Sequence, residues 1–291
     1  MDTRTKIFST AALVFAGLGL LLIVEAQSFG KLRYIACDVG QGDGQLIITP
    51  SGGEIVIDGG PNSKILDCLS AKMPFWDRKI ELVVLTHPQQ DHLAGLLDVI
   101  EKYDIDTLMT TNVKNESDTF KRWQEKVFKK KLKFYTPKAG DELIVDDKTR
   151  LKILWPGESQ NKEWKLKAPS DLNETAIVMK LVYGPPTGGF CAYLTGDITK
   201  EILETVIDGK CPVLKVAHHG SKTGTNDAVL EKAKPEVAII QVGKNNRFGH
   251  PNKEVLDLLG SKGIKILRND TDGTIEIESD GQSYQVKSDR N

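Results

Sequence analysis

Residues 85–95 read "LTHPQQDHLAG". An apolar run ends at His87, and the pair Asp91-His92 follows four residues on. Imidazole nitrogens and carboxylate oxygens are the usual ligands for zinc and similar ions, so the stretch reads as part of a metal site. The five histidines are His87, His92, His218, His219 and His250. Each lies at the end of a strand-like run or in the loop after it, and none lies in a helix-like run. Asp197 closes another apolar run, "CAYLTGD", where a carboxylate can hold an ion's geometry. One strand-end histidine would be a weak signal, but five beside Asp91 and Asp197 point to metal or acid–base chemistry. An ion held this way, with one position open, lowers the pKa of its water to about 7, so hydrolysis is the expected reaction.

The elements that position these residues follow from periodicity. Short strands are expected over 33–40, 44–50, 53–60 and 80–87, separated by glycine-rich turns. Apolar spacing predicts helices over 63–73 and 94–103, and a basic helix over 117–133 with Phe120, Trp123, Val127 and Phe128 as its stripe. Residues 157–174 read as a long polar loop. Strands then alternate with helices over 199–207, 226–233 and 252–262, and a hairpin turns at Asp280-Gly281. Two strand-rich halves facing each other give two sheets covered by helices.

The segments "DVGQGDGQLI" (38–47), "IVIDGG" (55–60), "LTHPQQDHLAGL" (85–96), "YLTGD" (193–197), "LKVAHHGSKTGT" (214–225) and "NRFGHP" (246–251) occur in this order. Together they resemble the metallo-β-lactamase fold, and specifically its ComEC-like branch of competence-related DNA-uptake proteins. The resemblance spans 32–288. It implies an α/β fold, a four-layer αββα sandwich. It also implies a metal-activated hydroxide attacking an ester, most plausibly a phosphodiester in DNA, as a nuclease would. The alternatives are another ester (a lactone, thioester or β-lactam), or a degenerate nucleic-acid-binding module without catalysis.

The resemblance also distributes roles. Two-metal hydrolases of this fold carry HxHxDH, and Gln89 stands here at the second histidine. No histidine occurs between His92 and His218, so the first metal site keeps His87 and a share of Asp197. The second keeps Asp91, His92, Asp197 and either His218 or His250. One firmly held divalent ion, zinc or manganese, is therefore expected, with a second weak or absent. Asp43 either returns a carboxylate to the depleted site or caps a turn. Asp58 is expected to orient the histidine loop through hydrogen bonds. Either His219 or His250 would protonate the leaving group, and Ser221 and Lys222 would touch substrate.

Lys129 and Lys130 belong to a basic cluster on the 117–133 helix that could grip a phosphodiester backbone, or could simply be a solvated helix face. A net charge of -1 excludes nothing about a polyanionic partner, because only local patches matter. Cys37, Cys68, Cys191 and Cys211 lack CxxC spacing, which argues against a cysteine zinc site. Cys37 and Cys191 are expected as small buried hydrophobes.

Residues 7–24 are uncharged and preceded by Arg4 and Lys6. Residues 1–27 are therefore expected to be a single-pass membrane anchor, with the N-terminus cytoplasmic and the 32–288 domain extracytoplasmic. The alternative is a cleaved signal and a secreted protein. Such a chain lacks a channel of its own, so a role in DNA uptake would need a membrane channel partner.

Overall fold

The computed structural model describes residues 30–185 and 188–290. In chain order the first sheet is built from β1 (Leu32–Ala36), β2 (Gly44–Ile48), β3 (Glu54–Gly59), β4 (Lys79–Leu85), β5 (Asp104–Thr110) and β6 (Lys133–Tyr135). The second takes β7 (Glu142–Ile144), β8 (Thr149–Trp155), β9 (Val178–Tyr183), β10 (Phe190–Leu194), β11 (Val213–Lys215), β12 (Val237–Ile240) and β13 (Lys265–Arg268). The chain then returns, and β14 (Ile275–Ser279) and β15 (Tyr284–Ser288) complete the first sheet beyond β1. Both sheets are mixed. Pairing is antiparallel from β15 to β3 and from β7 to β10, and parallel from β3 to β6 and from β10 to β13.

Side-chain alternation explains the layers. Tyr34, Ile47, Ile55, Ile57 and Val84 of the first sheet meet Leu151, Met179, Leu181, Leu194 and Ile239 of the second in one buried core. The opposite faces are covered by helices. On the first sheet, Ile35, Leu46, Val56 and Val83 pack under α1 (Lys64–Lys72), α2 (Gln90–Leu93), α3 (Leu96–Lys102) and α4 (Asp118–Lys130). On the second, Tyr193, Leu214, Ala238 and Ile240 share a core with Leu203, Leu230 and Leu259. These come from α6 (Lys200–Val206), α7 (Asp227–Ala233) and α8 (Lys253–Ser261). The result is a helix–sheet–sheet–helix sandwich.

Local signals account for several helix ends. The Ser117 hydroxyl accepts from Phe120 N at 3.3 Å and caps α4, which stops at Lys131 in the left-handed region. Phe120, Trp123 and Val127 are buried, but Phe128 is 86% exposed, contrary to expectation. At 100° per residue it falls about 80° from Phe120, on the side away from Trp123. Residues 157–174 also differ from the expected loop, because α5 (Glu158–Leu166) lies within them and a 3-10 turn at Leu172–Thr175 begins in them. The inward side of α5 is Asn161 and Trp164, and Asn161 Nδ2 donates to Pro137 O at 2.7 Å. A buried asparagine hides the stripe from any apolar pattern.

Two further expectations are corrected. The cysteines are buried but paired, Cys37 with Cys68 and Cys191 with Cys211. The sandwich was expected behind a transmembrane helix that would anchor the hydrolase in a cell membrane. Among the described residues no helix is long and apolar enough to cross a membrane, and the 7–24 segment itself lies outside them.

Candidate metal centre

The strand ends at one edge of the sandwich gather the predicted residues. β3 ends with Asp58, β4 leads into His87, β10 into Asp197, and β11 into His218 and His219. Two glycines set the approach of α2. A Cβ at Gly95 would lie 1.9 Å from Gly59 O, and one at Gly42 would lie 2.1 Å from Asp91 O. Only glycine lets these backbones close so tightly. The Asp91-His92 turn is thereby brought against the end of β3, where Asp58 waits.

Asp58 is fully buried. Its Oδ1 accepts from Thr86 N at 2.8 Å, and its Oδ2 accepts from the Thr86 hydroxyl at 2.6 Å. The same Oδ2 lies 2.8 Å from His92 Nδ1. His219 is held similarly, with its Nδ1 2.8 Å from the Gln241 carbonyl. Both rings therefore present Nε2 to the centre. His92 Nε2 lies 3.3 Å and His219 Nε2 lies 3.2 Å from Asp197 Oδ2, and His219 Nε2 is 3.3 Å from Asp91 Oδ2. Neither Nε2 has a hydrogen-bond partner among the described residues.

Asp91, His92, Asp197 and His219 could hold one ion between them. The fit is chemical as well as geometric. Nδ1 is committed on each ring, which leaves an Nε2 lone pair free to ligate. Burial disfavours charge on His92 and His219, yet the carboxylates around them, Asp197 foremost, hold both well above the ordinary histidine range. The His92 and His219 rings, drawn in reverse, help hold Asp197 well below the ordinary carboxylate range against its burial. A cation relieves the same excess of negative charge.

The adjacent histidines divide the other way from the expectation, which made His218 a ligand and His219 an acid, because His219 and not His218 joins Asp91, His92 and Asp197. His218 and His219 both adopt left-handed backbone, with φ of 52° and 54°. This turn sends His219 inward. His218 stays at the rim, its Nε2 4.0 Å from Asp197 Oδ2 and its Nδ1 3.1 Å from Thr223 Oγ1. His250 stands beside it, ring centroids 5.6 Å apart. Burial and the neighbouring His218 and His219 lower its pKa. His87 is fully buried, 4.1 Å from the His92 ring between centroids, and burial pushes its pKa down to about 3. Its Nε2 also has no hydrogen-bond partner among the described residues.

Asp43 does not join the Asp91 cluster. It lies on the Nδ1 side of both rings, 3.3 Å from His219 and 4.0 Å from His92, against the ammonium of Lys215. With Asp58 and His92 it forms a second group of possible ligands, wholly buried. Gln89 donates through Nε2 to Asn173 Oδ1 at 2.7 Å.

A cleft of about 520 Å³ opens over Asp91, Asp197 and His219, with Gln41, Gln89, Gln90, His218, Arg247, Phe248 and His250 among its walls. Asn246 fastens the Arg247–His250 loop, accepting from His250 N at 3.1 Å and donating to His250 O at 2.7 Å. Ser221, Lys222, Lys129 and Lys130 were expected to touch substrate, but none is among the lining residues. The expectation of a DNA partner is corrected accordingly, because the basic face of α4 does not build the cleft. Arg247, Phe248, Asn173, Gln241 and Lys215 were not expected as site residues.

No family model matches the chain. In sequence it is 29% identical over 260 residues to ComE operon protein 3 of Bacillus subtilis, covering 82% of this chain and 32% of that protein. It is 27% identical over 229 residues to Recombination protein 2 of Haemophilus influenzae, covering 76% of this chain and 26% of that one. The chain thus spans about a third or less of these relatives' length. In structure it matches the metallo-beta-lactamase fold protein YhfI of Bacillus subtilis with a TM-score of 0.53 at 12% identity, over 88% of this chain and 99% of the other. The chain has the metallo-β-lactamase fold. CmlA, a diiron beta-hydroxylase from Streptomyces venezuelae, matches this metallo-β-lactamase-fold chain with a TM-score of 0.51 at 12% identity, over 82% and 52% of the two chains. Such likeness establishes the fold, and the chemistry rests on the residues.

Proposed function

We propose that this chain is a metal-dependent hydrolase of an ester bond, with a phosphodiester as that ester. The observation that carries the reading is the convergence of His92 Nε2 and His219 Nε2 on Asp197 Oδ2 beside Asp91, at 3.2–3.3 Å, beneath an open cleft. Asp91, His92, Asp197 and His219 would hold the ion. A divalent ion there supplies a water acidic enough to ionise near neutral pH and a positive charge for the ester oxygen. Asp58 and the Gln241 carbonyl keep the two imidazoles aimed. Arg247 lies on the cleft wall, where its planar guanidinium suits a phosphate oxygen pair. His250 lines the cleft, and burial with its histidine neighbours lowers its pKa, so near neutral pH it would stand unprotonated and serve as a proton acceptor rather than as the acid for the leaving oxygen. Partial similarity to competence and recombination proteins adds support.

A second reading, hydrolysis of a lactone, thioester or other carboxylic ester, is favoured by one fact. Lys129 and Lys130 stand off the cleft, so phosphate has few cationic partners there. The test is a comparison of bis(p-nitrophenyl) phosphate with p-nitrophenyl acetate, a lactone and a thioester. Each is offered to protein stripped by chelator and reloaded with zinc or manganese. The reading expects reload-dependent phosphodiester cleavage, reduced at least ~100-fold in Asp91→Ala. Cleavage that survives chelation or the substitution would sink it. Turnover of the carboxylic esters alone would select the second reading.

A further inference from the structure

Lys215 is the one lysine among the described residues that is fully buried. It ends β11, and its Nζ rests against the Asp43 carboxylate, donates to Gly196 O at 2.9 Å and lies 3.6 Å from Asp197 Oδ1. The ammonium therefore reaches both carboxylates that flank the His92 and His219 rings. Asp43 is on the Nδ1 side of those rings, and Asp197 Oδ2 is on the Nε2 side.

A second ion in this centre would need donors. Asp43, Asp58 and His92 are close enough together to supply three. All three are engaged, however. His92 Nδ1 is tied to Asp58 at 2.8 Å, and Asp43 has the ammonium. Near His87 the position is no better. Gln89 offers at most a neutral amide oxygen, its Nε2 being held by Asn173, and Asp197 turns Oδ1 toward Lys215. Among the described residues His87 Nε2 is then a ligand nitrogen without a hydrogen bond there, and Asp197 Oδ1, although it accepts no hydrogen bond, faces the Lys215 ammonium. A carboxylate buried without a cation is strongly destabilising, so something must balance Asp43. Here the balancing charge is covalently part of β11.

We propose that Lys215 is a positioning residue that makes the centre mononuclear, its ammonium standing on Asp43 and Asp197 in place of a second cation. The proposal rests on the reading that Asp91, His92, Asp197 and His219 hold an ion. It adds that the chain carries its own substitute for a partner ion. Lys215 also fixes which oxygen of Asp197 faces the ligating nitrogens.

Metal content measured by mass spectrometry, after loading with excess zinc or manganese and desalting, tests this without reference to turnover. The wild-type chain is expected to hold one ion. Gln89→His restores a ligand type beside His87 and is still expected to hold one, because Lys215 remains. The double variant Gln89→His/Lys215→Met is expected to hold two, with the second ion visible as a separate step in calorimetric titration. Two ions in the wild type or in Gln89→His overturn the proposal, as does a folded double variant holding one. Gln89→His lies at the cleft wall and leaves the core intact, so it decides the matter even if the double variant does not fold. No ion in the wild type would overturn the hydrolase reading and this proposal together, whereas two ions would overturn this one alone.

Discussion

The Gln89 side-chain amide donates to Asn173 Oδ1 at 2.7 Å. The residue at the familiar ligand position is thus engaged with a 3-10 turn of the second sheet's side of the cleft. Gln89→Ala is expected to leave metal affinity within about threefold of wild type, since a bond of this kind contributes only ~1 kcal/mol net. Isothermal titration with zinc checks it. A loss of a hundredfold would show that Gln89 ligates the ion.

Asp58 receives the Thr86 amide, the Thr86 hydroxyl and the His92 ring together. Asp58→Asn offers one acceptor oxygen where two are used. Metal affinity is expected to fall about 10- to 100-fold, the usual effect of losing the partner behind a ligating histidine. Competition with a chromogenic chelator measures this, and an unchanged affinity would remove Asp58 from its orienting role.

Glu54 is buried on β3, and burial, with Asp77 and Glu81 nearby, pushes its pKa up to about 8 from 4.5. Below pH 4.5 both folded and unfolded chains keep the proton. As pH rises from 4.5 toward 8, the unfolded chain ionises while the folded one does not, so stability falls across that window and levels above it. Glu54→Gln is expected to remove about 2–4 kcal/mol of this decline. Urea denaturation at pH 5 and pH 8.5, for both forms, compares the slopes.

Cys37 follows β1 directly, and its bridge to Cys68 ties the Asp38–Asp43 loop to α1. Replacing both cysteines by alanine is expected to cost roughly 2–4 kcal/mol, because the bridge closes a loop in the unfolded chain. For a domain of this size that is about 4–16 °C in melting temperature. Scanning calorimetry reads it, and reduction of the wild type, which opens Cys191–Cys211 as well, should lower the melting temperature further.

Much of this was legible from spacing. The strand-end histidines, Asp58 and Asp197 announce themselves because chemistry demands specific residue types where parallel strands stop. The choice between His218 and His219 was not legible. The neighbours sit at different depths, His219 Nε2 3.2 Å and His218 Nε2 4.0 Å from the same Asp197 oxygen, in a turn where both take left-handed backbone that spacing does not foretell. Lys215 was hidden inside an apolar run, where a lysine reads as an edge or solvent position. The α5 helix was hidden for the converse reason, a buried asparagine in place of an apolar residue. The cysteine pairs required knowing which strands and helices meet, and that is tertiary information.

Asp58, His87, Asp91 and His92 hang from the first sheet, while Asp197 and His219 hang from the second. The centre is therefore a joint across the shear plane of the sandwich. Sliding one sheet over the other by a fraction of an ångström alters every cross-sheet ligand distance at once. Packing residues deep in that plane, such as Met179 and Ile47, would thus set the tension under which an ion is gripped, although neither comes near the centre in sequence.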